Sequence, residues 1–277
     1  MRRIRRIYTL GMLIFLSACT GFKRMHWPVP AETISWKTGS AFYQQAAGAH
    51  WKERDSLALE QIEAGNIPPF LRKFVRIEVS LTTPAGKKIR ARYYVAPDYL
   101  AIGTRNDWAR IPLSPMAAQK IADSFHCFLP TRKMVDDIYQ QAVVKLPPVP
   151  MYAFRDSTVT MWQHHLIIEG QRKGKKGLIA GIKKDVVLTG KLLRETRPDR
   201  EAIYGWHTLD GKPIQPLYTG HINWWVDYSH GIRLVYEVIR VNGKPMHYTE
   251  VLKDPVLQKL LCDEVWCDCT RYHFSSH

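Results

Sequence analysis

Val75, Ile77 and Val79 alternate with Arg76, Glu78 and Ser80. Successive side chains of a strand point to opposite faces, so a period of two sends one set into a core and the other into water. Thr83-Pro84-Ala85-Gly86 turns the chain, and Ile89, Ala91, Tyr93 and Val95 resume the alternation. This predicts an antiparallel hairpin. Its polar face carries Arg76, Arg90 and Arg92, read here as solvated residues.

Around that hairpin the pattern changes. Residues 41–62 are helix-compatible and are stopped by Gly65-Asn66 and Pro68-Pro69. Ser114-Pro115 suits the cap and first turn of a helix over MAAQKIADSF, and Thr131 can cap RKMVDDIYQQAVV. Asp123 and Asp136 fall on these helices and read as solvated carboxylates. KLPPVPMYAF marks a subdomain boundary near residues 146–150. Beyond it, TVTMWQHHLIIEG, GLIAGIKKDVVLTG, AIYGWHTLDG, HINWWVDYSHG and IRLVYEVIRVNG read as short strands separated by Gly, Asp-Gly and Asn-Gly signals. A last helical stretch, TEVLKDPVLQKLLCDEV, is interrupted at Pro255. The expected class is α+β: a helical N-terminal part with a hairpin, then a mainly antiparallel β-rich half and a C-terminal helix. Residues 41–277 are expected to form a single domain.

The N-terminus reads as an export signal. Arg2, Arg3, Arg5 and Arg6 precede an apolar run over residues 7–16, which is too short to cross a bilayer comfortably. Leu16-Ser17-Ala18-Cys19 resembles the lipobox of bacterial lipoproteins. That resemblance implies a signal peptide over residues 1–18, acyl chains on Cys19, and a tether over residues 19–40. It places the chain on the cell membrane or outer membrane, outside the cytoplasm. The formal charge is +15, or +11 once the four signal arginines are set aside. No motif for base readout accompanies it, so nucleic acid is not an expected partner, and anionic lipid heads or envelope polymers are.

Export leaves Cys127, Cys262, Cys267 and Cys269, an even number that permits two disulfides. Cys267 and Cys269 are too close in sequence to pair with each other, so Cys127 is expected to join a tail cysteine. A thiol nucleophile at Cys127 is the other reading.

The residues best suited to chemistry are Asp185, His207, His221, Asp227 and His230, each a type that holds metals or moves protons. The three histidines border turn-prone stretches, where scaffolds present working groups. Trp206, Trp224 and Trp225 could wall a pocket and stack on sugar rings. Lys183, Lys184 and the run QRKGKKG could attract an anionic glycan. Zinc held by the histidines and one carboxylate is one expected form of the site, and Asp227 or Asp185 orienting a histidine base is another. Glu169, Glu195, Glu201 and Glu237 supply further carboxylates, whose separation a sequence does not give. The expectation is a hydrolase acting on peptidoglycan or another envelope polymer. The alternative is a non-catalytic binding or scaffold lipoprotein, with the same basic aromatic surface and no preorganised His–Asp set.

YYVAPDYLAIG, IADSFHCFLPT, KKDVVLT and HINWWVDYSHG together resemble a group of uncharacterised exported bacterial proteins, over roughly residues 70 to 262. The resemblance implies a single family-like domain and carries no established activity. It also implies a histidine ahead of the Lys-Lys-Asp stretch, where this chain has Ile182.

Overall fold

A computed structural model describes the backbone of Lys23–Arg24 and residues 35–274. The export signal and Cys19 lie outside the described residues. β1 (Lys23–Arg24) pairs antiparallel with the start of β2 (Lys73–Thr82). β2 pairs with β3 (Lys88–Val95) along the hairpin, from Val75 opposite Val95 to Thr82 opposite Lys88. Ile77, Tyr93 and Val95 are buried, as their alternation requires. The helical run before the hairpin is two helices, α1 (Gly39–Gln45) and α2 (Trp51–Glu63). Gly48, at φ +74°, lies in the connection between them, in a conformation that glycine adopts without a Cβ clash.

After a small hairpin, β4 (Ala101–Gly103) and β5 (Trp108–Arg110), come α3 (Pro115–Ser124), β6 (Cys127–Phe128) and α4 (Arg132–Gln141). Ser114 and Thr131 cap the two helices as their sequences indicate, accepting the backbone N–H groups of Ala117 and Met134. β7 (Val144–Lys145) runs parallel to β8 (Ile179–Ala180), on either side of α5 (Thr158–Arg172). The α5 segment was expected to be a strand. Ser157 caps it by accepting the Thr160 N–H, and Met161, His164, His165, Ile168 and Arg172 form a buried face at helical spacing.

The second sheet has the order β11 (Pro213–Tyr218), β10 (Ile203–His207), β9 (Lys184–Val186) and β12 (His230–Gly231). β9 is antiparallel to β10 and parallel to β12. The chain then returns to the first sheet. β13 (Val235–Tyr236) bridges β3 and β6, and β14 (Val238–Val241) pairs with β3 and with β15 (Lys244–His247). α6 (Tyr248–Lys253) ends ahead of Pro255. The fold is therefore α+β, with helices at the N-terminal side, several sheets and a C-terminal helix. Its main core joins Ile77 and Tyr93 to Phe128, Met134, Met161 and Ile239.

Cys262 pairs with Cys267. Cys127, expected to reach the tail, is instead a buried thiol that donates to the Phe125 carbonyl. Among the described residues, no helix is long and apolar enough to cross a membrane.

Candidate functional site: a buried carboxylate–histidine group near exposed aromatic residues

His230 opens β12, beside Lys184 of β9. Its ring is buried between two carboxylates. Nε2 lies 2.9 Å from Glu201 Oε1, and Nδ1 lies 3.1 Å from Asp227 Oδ1. The local sequence explains part of this. Asp227 Oδ1 accepts the Ser229 backbone N–H at 2.8 Å and the Ser229 hydroxyl, an Asx turn that folds the chain back toward His230. Asp227 Oδ2 accepts from Arg155 Nη2 at 2.6 Å and faces Lys184 Nζ at 3.8 Å. Burial disfavours charge on His230, but Glu201 and Asp227 outweigh it and push its pKa up to about 10. Burial likewise opposes the Asp227 carboxylate, and His230, Lys184 and Ser229 together hold it well below the usual range.

The group reaches solvent through Arg155, whose side chain is 44 % exposed. His221 is half-buried nearby, its ring 6.3 Å from that of His230. Its ring stacks on Trp225 at 6.3 Å and meets the edge of Tyr218 at 5.1 Å. Burial, then the His230 charge, pushes His221 down to about 4, so its imidazole is neutral at neutral pH. Trp224, the neighbour of Trp225, is exposed and stacks on Trp51 at 6.5 Å. Tyr152 and Phe154, just ahead of Arg155, are also exposed. The Arg155 guanidinium lies 5.9 Å from the Tyr228 ring; a guanidinium beside an aromatic face can hold an anionic group, and a neutral imidazole can accept a hydrogen bond or a proton.

Asp185 and His207 belong elsewhere. Adjacent residues of a strand face opposite ways, and β9 uses this. Lys184 points to Asp227 and lies 5.3 Å from the Trp206 ring, whereas Asp185 accepts from the Tyr99 hydroxyl at 2.8 Å and lies 3.8 Å from Arg233 Nε. Burial pushes Asp185 up to about 6. His207 Nε2 is 2.9 Å from Asp136 Oδ1, and its ring stacks on Tyr139 at 4.4 Å. His207 and Asp185 line one closed gap, too small for water, with Tyr99, Tyr139 and Arg233. The five expected residues thus divide into Asp227, His221 and His230 on one side, and Asp185 with His207 on the other.

This division overturns the expected zinc site. Among the described residues, no group of three or more His, Cys, Asp or Glu side chains could hold a metal ion. Both ring nitrogens of His230 face carboxylates, and His207 is committed to Asp136.

Lys183 and Lys184 are interior residues rather than a rim. Lys183 Nζ lies 3.1 Å from His164 Nδ1 and donates to the Tyr228 carbonyl, and burial, with Arg110 nearby, brings its pKa down to about 7. Trp206 is buried against Lys184 and Tyr228 at φ +57°, beside a register irregularity in β10. A bulky residue in that backbone region is strained, and such strain concentrates at working sites.

Arg155 carries no signal in the sequence, and Asp136, which reads there as a solvated carboxylate, accepts from the Tyr204 hydroxyl and pairs with His207. The only local signal is Asp227-x-Ser229-His230, a turn that aims a carboxylate at a ring. Arg155 and Asp136 lie 72 and 71 residues from their partners, and nothing in a linear pattern links them. Compared with known proteins, the chain matches no family model, no curated protein and no solved structure.

Proposed function

We propose that this chain is a lipoprotein of the bacterial envelope, anchored through Cys19, that binds an anionic envelope glycan such as peptidoglycan at the His221–Arg155 mouth. The observation that carries this reading is the buried Glu201–His230–Asp227 group, which fixes Arg155 half-exposed near His221 and Trp225. Binding is favoured over turnover because the buried members are closed on one another and out of a substrate's reach. His230 is enclosed by carboxylates, and the Ser229 hydroxyl is spent on Asp227. Trp224 and Trp225 supply the stacking surfaces, and Arg155 the charge.

The test is titration of soluble muropeptides, followed by tryptophan fluorescence, with mass analysis of the muropeptides afterwards. Arg155→Ala and Trp224→Ala should each weaken binding about tenfold, a cost of ~1.4 kcal/mol, with the muropeptide masses unchanged. Parent-like affinity in both variants overturns the assignment of the mouth. A second reading, hydrolysis with His221 as general base, is favoured by that ring being neutral and half-exposed. Cleavage products that disappear in His221→Ala would establish turnover in place of simple binding.

A further inference from the structure

We infer that the outer face of the β2–β3–β14 sheet is a seat for anionic phospholipid headgroups, and this rests on the lipoprotein reading above. The pleat places Glu78, Ser80, Arg90 and Arg92 on one face, with Glu78 opposite Arg92 and Ser80 opposite Arg90. Arg240 of β14 lies directly opposite Arg92 on the other side, and Lys88 closes the row near the hairpin turn. These residues line an open groove of about 730 Å³. Its one carboxylate, Glu78, pairs with Arg76 at 3.2 Å. Among the described residues, no carboxylate forms a salt bridge with Lys88, Arg90, Arg92 or Arg240.

Like charges directly opposite each other across a strand pair destabilise a sheet. Arg92 has Glu78 opposite it on β2 and Arg240 opposite it on β14, and Arg240 Nη1 donates to the Gly243 carbonyl at 3.2 Å; with Glu78 shared with Arg76, the face keeps an excess of positive charge that an external anion can balance. The chain's connectivity identifies that anion. β1 begins at Lys23, four residues after Cys19, and forms the edge of this same sheet. Four extended residues span at most about 14 Å, so an acylated Cys19 holds the sheet edge close to the bilayer. β1 pairs with Lys73 and Phe74, so the groove begins about four residues farther along β2, and a sheet lying along the membrane sets its cationic face on the headgroups, where each Lys or Arg contributes about fivefold in affinity.

The test uses the full chain carrying Cys19→Ser, so that acylation does not dominate, and measures sedimentation with phosphatidylcholine vesicles with and without phosphatidylglycerol. The combined variant Arg90→Gln, Arg92→Gln, Arg240→Gln should lose on the order of a hundredfold in affinity for the anionic vesicles, with neutral vesicles unaffected. It should also melt close to the parent temperature, because the repulsion of Arg92 by Arg240 and its attraction to Glu78 are lost together. A purely structural role for these arginines predicts the reverse on both counts. Parent-like binding by the variant overturns the inference. Glycerol phosphate in solution binding as tightly as the vesicles overturns it too, in favour of a free phosphoester. Intact-mass analysis of membrane-extracted native chain tests the other reading separately: an unacylated Cys19 removes the lipoprotein assignment, whereas an acylated Cys19 with an indifferent face removes only this seat.

Discussion

His230→Gln should be among the most damaging single substitutions in the β-rich half, and its cost should depend on pH. The substitution removes the positive ring between Glu201 and Asp227. Asp227 keeps Arg155 at 2.6 Å and the Ser229 N–H at 2.8 Å. Glu201 keeps much less, since its second oxygen, Oε2, is buried with no partner among the described residues. Breaking a buried ion pair from one side costs roughly 3–5 kcal/mol. The pKa gives a second route to the figure. A rise from 6.5 to about 10, at ~1.4 kcal/mol per tenfold, caps the contribution at roughly 5 kcal/mol.

The sign follows from proton counting. Between pH 6.5 and about 10 the folded chain keeps the His230 proton and the unfolded chain has lost it, so this stabilisation is full below 6.5 and fades as pH rises through about 10. Lys183 acts oppositely over nearly the same window. Folded Lys183 gives up its proton near pH 7 and unfolded Lys183 keeps it to 10.5, so stability rises with pH on its account. The parent curve alone can therefore be nearly flat, and the informative quantity is the parent-minus-variant difference. Urea unfolding followed by tryptophan fluorescence at pH 6, 8 and 9.5 measures it. The difference should be largest at pH 6 and shrink toward pH 9.5. A difference that stays constant refutes the reasoning. It is the signature of a neutral ring whose Nδ1 accepts the Asp227 backbone N–H, which lies 2.9 Å away.

Two further substitutions probe the separation of the clusters. His207→Ala loses the Tyr139 stack and the Asp136 contact, and should cost about 1–3 kcal/mol in urea unfolding with muropeptide affinity unchanged; a tenfold loss of affinity in the folded variant would join the two pockets into one site. Gly231→Ala places a Cβ 2.5 Å from Tyr99 Cδ1 and 2.7 Å from Lys183 Cβ, so the same assay should show a loss of about 1–3 kcal/mol, and parent-like stability would show that Tyr99 can move off Asp185 freely.

The hairpin and the caps of α3 and α4 were legible because their signals are local: a period of two, a turn, and a hydroxyl one residue ahead of a helix. The α5 segment misled because its buried face is partly polar. His164, His165 and Arg172 complete the helical stripe, and reading them as surface residues leaves the β-branched Thr158, Val159, Thr160, Ile167 and Ile168 to suggest a strand. The loop from His221 to Ser229 misled in the other direction. Its aromatic residues read as strand, yet here they form turns that end at β12. The candidate site was half legible: Asp227 and His230 are three residues apart and in contact, but their partners arrive from Glu201 and Arg155.

Lys183-Lys184-Asp185 differs most between sequence and fold. In sequence it is a basic run, and in the fold all three residues are buried. Burying a charge is unfavourable unless it is paired and hydrogen-bonded, so each position has its own partner: the Tyr228 carbonyl for Lys183, Asp227 for Lys184, and the Tyr99 hydroxyl for Asp185. This fixes the charge balance behind the mouth. Glu201 and Asp227 are two carboxylates, and they face three cations, His230, Lys184 and Arg155. The group therefore has a cation in excess. His230 and Lys184 are buried and Arg155 is half-exposed, so the excess is presented where a ligand can reach it. An anionic group arriving beside Trp225 and His221 completes the balance, whereas a neutral glycan leaves it open. Muropeptides with free stem-peptide carboxylates should accordingly bind more tightly than their amidated counterparts, and the preference should vanish with Arg155→Ala.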